Sequence, residues 1–76
     1  MINAIAYDDY AEVSIYGERH LDWSVELERF KSHIYYKDRR FDTRKNVWVI
    51  HNLEKYIGIP YIKTALLDRD KQLKLF

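Results

Sequence analysis

The sequence predicts an α+β fold: a small antiparallel sheet of three to four strands packed against one amphipathic helix, with a short C-terminal helix and tail. Three observations carry this. Ala11, Val13 and Ile15 alternate with Glu12, Ser14 and Tyr16, the period of a half-buried strand. Trp23, Leu27, Phe30 and Ile34 recur at steps of four, three and four, which puts them on one helical face. Two aromatic and β-branched runs flank the polar stretch Thr43-Arg44-Lys45-Asn46, a β-hairpin pattern.

Along the chain, the first strand spans Tyr10 to Tyr16 and closes at Gly17. Glu18 to Leu21 is expected to form a short second strand. Asp22 stands where a helix N-cap belongs, because its carboxylate can accept from the free N–H groups of a first turn. Glu26 and Glu28 then lie toward the helix start, and Arg29 and Lys31 toward its end, the order that the helix dipole favours. Arg40-Phe41-Asp42 and Val47 to Ile50 supply the hairpin strands, with Phe41 and Trp48 expected in the core. Leu53 to Ile57 reads as a helical turn capped by Asn52, and Gly58 and Pro60 interrupt it. From Pro60 to Arg69, Ile59, Ile62 and Leu66 keep helical spacing, and Pro60 suits a first turn. The alternative is a terminal hairpin pairing Tyr61–Leu67 with Gln72–Phe76 across Asp68-Arg69-Asp70-Lys71.

Seventy-six residues allow one domain with a small core. We divide the chain into a folded body, 1–71, and a terminal peptide, 72–76. The absence of cysteine removes disulfides and thiolate metal sites and suits a reducing compartment. No apolar run approaches the roughly 20 residues of a membrane span. Met1 to Tyr10 carries Asp8 and Asp9 and no base, unlike a signal peptide. The expected location is cytoplasmic, with no membrane partner.

Net charge is only +1, yet it is unevenly spread. Residues 1–12 hold three acids and no base, whereas residues 29–45 hold seven bases against two acids. Cations on a small sheet beside aromatic rings suit phosphate contact together with base stacking. Lys37, Arg39, Arg40, Arg44 and Lys45 are therefore the candidate phosphate contacts, and Tyr35 and Tyr36 the candidate stacking residues. The expected ligand is single-stranded or branched DNA.

Catalytic devices are missing. His20, His33 and His51 have no helical ligand spacing, both glycines are isolated, and no serine sits in a nucleophile elbow. The reading is of a protein that is not an enzyme, with no catalytic residue, metal or cofactor.

The chain ends in Gln72-Leu73-Lys74-Leu75-Phe76. This resembles the short peptide by which bacterial replication and repair proteins dock on the DNA polymerase sliding clamp. The resemblance implies that Leu75 and Phe76 fill an apolar pocket, with Gln72 and Leu73 bound beside it. Such docking needs an extended, reachable backbone. A second resemblance covers residues 21–56. Phe30-Lys31 at a helix end, Arg39-Arg40-Phe41-Asp42, Trp48 six residues after Asp42, and Leu53-Glu54-Lys55-Tyr56 are similar to the HepA-related-protein (HARP) module found beside annealing helicases. The family's Ile-Pro before the arginine is replaced by His33-Ile34-Tyr35-Tyr36, and His51 stands where the family usually has proline. This resemblance implies DNA contact without a motor.

The function expected from all of this is a replication or repair accessory, or a phage-type inhibitor. It would dock on the clamp through QLKLF, with DNA contact by the basic hairpin. The alternatives are a stand-alone HARP-like nucleic-acid module with a structural C-terminus, and a protein-interaction domain unrelated to DNA.

Overall fold

The computed structural model describes residues 1–17 and 20–74, the side chains of 20–22 and 72–74 excepted. Its order is β1 (Ile2–Ala6), β2 (Tyr10–Ile15), α1 (His20–His33), β3 (Arg39–Asp42), β4 (Val47–His51) and α2 (Pro60–Lys74). Two 3-10 turns, Tyr36–Asp38 and Leu53–Tyr56, precede β3 and α2 respectively. The four strands form one antiparallel sheet in the order β1-β2-β4-β3. This is the expected α+β architecture.

Register explains which residues form the core. Ala4, Val13, Trp48 and Phe41 are cross-strand partners in one row, and Ala6, Ala11, Ile50 and Arg39 form the next. Alternation places both rows on the same face. On that face Ala11, Val13 and Ile50 pack with Phe30 of α1, Ile34 just past its end, Leu53 and Tyr56 of the 3-10 turn, and Ile62 of α2. The opposite face carries Asn3, Ile5, Tyr10, Glu12, Ser14, Arg40, Val49 and His51. Its polar content marks it as the solvent side of a one-sided sheet.

Local chemistry fixes the turns. Asp42 Oδ1 accepts from the backbone N–H of Arg44 at 3.0 Å and of Lys45 at 3.2 Å, and Asn46 takes φ 58°. An Asx turn followed by a left-handed asparagine joins β3 to β4, as the polar run predicts. Gly17 allows β2 to pass close to α1. A Cβ there would lie 2.5 Å from the Trp23 backbone nitrogen.

The structure corrects several expectations. β1 was not foreseen. His20 and Leu21 belong to α1, so the expected strand over Glu18–Leu21 does not form there; Glu18 and Arg19 lie outside the described residues. Asp22 is accordingly the third residue of α1 and not its cap. Asn52 does occupy the cap position of its turn, but with φ 58° and no capping hydrogen bond from its side chain. Phe41 is 41% exposed, because β3 is an edge strand; it meets the partly buried Trp48 edge-on at 5.3 Å. Trp23 is 40% exposed, and the buried stripe of α1 begins at Leu27. Finally, α2 runs past Arg69 to Lys74, which sets aside the terminal hairpin. The backbone of Gln72, Leu73 and Lys74 is thus helical. Leu75 and Phe76, the anchors of the clamp-like motif, lie outside the described residues, as do the side chains of Gln72 and Leu73.

Candidate nucleic-acid interface

Where α1 stops, its last carbonyls need donors. Arg39 supplies them: one guanidinium nitrogen donates to the Ile34 carbonyl at 2.5 Å and to the Lys31 carbonyl at 3.0 Å. A cation at a helix C-terminus also meets the negative end of the dipole. Arg39 points to the helix side because it pairs with Ile50 in the sheet, while Arg40, one residue on, pairs with Val49 and points to the other side. The expected phosphate contact at Arg39 is therefore engaged in closing α1.

The short crossing from α1 to β3 holds Tyr35, Tyr36 and Lys37. The two tyrosine rings lie 4.9 Å apart at 59°, with 53% and 61% of the residues exposed. Lys37 Nζ sits 6.0 Å from the Tyr36 ring centroid. Beside the rings opens a groove of about 620 Å³ lined in part by Lys31, His33, Tyr35, Tyr36 and Lys55. The two amphipathic rings stand in water at the rim of a cation-bearing groove.

Below the groove lies Asp38, the one buried charged residue among those described. Its carboxylate accepts a short hydrogen bond from the Tyr56 hydroxyl, one from Asn52 Nδ2 at 2.7 Å, and one from Lys55 Nζ at 3.5 Å. The Tyr56 hydroxyl, then the Asn52 amide and Lys55, hold the Asp38 carboxyl below the usual carboxylate range, so it is ionised at neutral pH. Burial, and next the Asp38 carboxylate, push the Tyr56 phenol upward. The two shifts agree: tyrosine donates and aspartate accepts. The left-handed backbone of Asn52 aims its amide at Asp38, which accounts for the missing cap.

The remaining candidates lie elsewhere. Arg44 and Lys45 sit in the β3–β4 turn, at the far end of β3, roughly 10 Å along the strand from Arg39. Lys45 reaches across to Glu12 at 3.5 Å, and that carboxylate raises its pKa. Among the described residues, Lys31, Arg40 and Arg44 have no carboxylate at ion-pair distance. Thus Tyr35, Tyr36 and Lys37 come together, Arg40 faces the opposite side, and Arg44 and Lys45 form a separate basic tip.

Sequence reasoning missed Lys31, Lys55, Asp38 and Tyr56. Helical spacing places Lys31 one turn before Tyr35, but only the crossing of the chain brings Lys55 to the same groove. Among the described residues, no group of three histidine, cysteine, aspartate or glutamate side chains is arranged to hold a metal, and no helix is long and apolar enough to cross a membrane. Comparison with protein-family models, with curated proteins and with solved structures found no match.

Proposed function

We propose that this protein is a non-enzymatic module that contacts single-stranded nucleic acid at the groove beside Tyr35 and Tyr36. The observation that carries the reading is this pair of exposed, adjacent rings set among Lys31, Lys37 and Lys55. Rings take the faces of unstacked bases, and the lysines take the phosphates between them. Arg40, on the opposite face of β3, and Arg44, in the separate β3–β4 tip, lie outside this groove.

Titration of a labelled single-stranded oligonucleotide at several salt concentrations tests this. With three or four phosphates neutralised, log affinity is expected to fall with log salt at a slope of about −2 to −3. Replacing Lys31, Lys37 and Lys55 with glutamine is expected to flatten that slope. Binding indifferent to salt and to these three charges counts against the reading.

A second reading is docking on the bacterial sliding clamp. Gln72, Leu73, Leu75 and Phe76 match the fixed positions of the motif. The last member of the apolar core among the described residues is Leu66, and Asp70 and Lys71 are exposed. An extended bound peptide would require the last turn of α2 to open, and helix ends fray at little cost. A chain lacking residues 72–76 is expected to remain folded and to lose clamp in a pull-down, as is Phe76→Ala. Unfolding of the truncated chain would place the tail in the core and remove this reading. Whether docking assists replication or inhibits it is decided by growth on expression: a defect reversed by extra clamp marks an inhibitor.

A further inference from the structure

The nucleic-acid reading above leaves unexplained why a small domain buries a carboxylate under its groove. A buried ionised aspartate loses hydration and must be compensated by hydrogen bonds. Asp38 receives them from three side chains that all come from residues 52–56. Its own backbone N–H donates to the Tyr35 carbonyl at 2.9 Å. The Tyr56 hydroxyl, while donating to Asp38, accepts from the Tyr35 backbone N–H at 3.2 Å. Tyr35 is therefore held at both its backbone groups, and the carbonyl of Ile34 before it is held by Arg39. The segment that presents the two rings lies outside both regular helix and sheet, where backbone is ordinarily mobile. Here every backbone group from the Ile34 carbonyl to the Tyr35 carbonyl has a named partner.

Resting on that reading, we infer that Asp38 and Tyr56 are positioning residues for the stacking site, acting through Tyr35 to hold the Tyr35–Tyr36 pair in place for single-stranded nucleic acid. The hydroxyl of Tyr56 is the joint of the device, since it alone connects the carboxylate to the Tyr35 amide. Its ring separately belongs to the core, so the two roles can be parted by removing one oxygen. Preorganisation of this kind raises affinity by removing the entropy of ordering a contact segment on binding.

The experiment uses the full chain with Tyr56→Phe, which keeps the ring and deletes the hydroxyl, and Asp38→Asn as a second variant that weakens the same contact. The first arm needs no ligand. Hydrogen exchange at the Tyr35 amide is expected to accelerate on the order of fivefold or more, the loss of about one hydrogen bond. Exchange at the Ile50 amide, in the sheet core, is expected to stay as it was. The second arm is a double-mutant cycle on affinity for a labelled single strand. Tyr56→Phe is expected to weaken binding on the order of threefold in the natural background, and to have no effect once Tyr35→Ala and Tyr36→Ala have removed the rings. An unchanged Tyr35 amide would overturn the positioning role. Equal losses of affinity in both backgrounds would also overturn it, since a merely structural effect does not depend on the rings. If the natural protein binds no strand at all, the nucleic-acid reading fails by itself, and the exchange arm still decides whether Tyr35 is held by Tyr56.

Discussion

Replacing Phe30 with alanine is expected to destabilise the fold by about 3–5 kcal/mol, the usual cost of emptying a buried aromatic site. Phe30 is fully buried in α1, and its ring lies 5.3 Å from that of Trp48 across the core. It touches the layer where helix and sheet meet, so the cavity cannot collapse without moving one against the other. A domain of this size has a total stability of roughly 4–11 kcal/mol. Phe30→Ala therefore removes a large share of it, and a much lower denaturation midpoint is the expected result. Chemical denaturation followed by tryptophan fluorescence measures this. A loss below about 1 kcal/mol would mean that the ring is not the centre of the core.

The second large effect is on binding and leaves the fold alone. Changing Tyr35 and Tyr36 together to alanine is expected to weaken single-strand binding by about 1–3 kcal/mol for each base that loses its ring. That is roughly 5- to 150-fold per ring at about 1.4 kcal/mol for each factor of ten. Both residues are more than half exposed, so the thermal midpoint is expected to change little. Retained stability with lost binding separates a surface role from a packing role. Unchanged affinity in the double variant would mean that the rings do not meet the ligand.

Much of the fold was legible because periodicity reports burial. Phe30 in α1 and Ile34 just past its end are both buried in the core, and Val13 lies on the core side of β2, where alternation placed it. The β3–β4 turn was legible because Asp42 and Asn46 carry the turn chemistry in their own side chains. β1 was missed because Ile2–Ala6 is short, and Asn3 and Ile5 on its outer side give no clear contrast with Ala4 and Ala6. The candidate site was legible in composition and not in geometry. A run of bases says where cations lie in sequence. Period two in β3 then sends Arg39 to the helix end and Arg40 to the open face, which separates neighbours. Asp38 was hidden for the opposite reason. An aspartate among bases reads as a surface group, and only the crossing of residues 52–56 beneath it makes it the buried acceptor.

The central claim is that the groove between the end of α1 and the 3-10 turn at Leu53–Tyr56 receives single-stranded nucleic acid. Amide chemical-shift mapping during titration with a short unlabelled single strand tests it most directly. Shifts are expected to concentrate at Lys31, Tyr35, Tyr36, Lys37 and Lys55, with Asn3 and Ser14 on the far part of the open sheet face unmoved. Saturable shifts centred on Asn3 and Ser14, or no shifts at all at low salt, would contradict it.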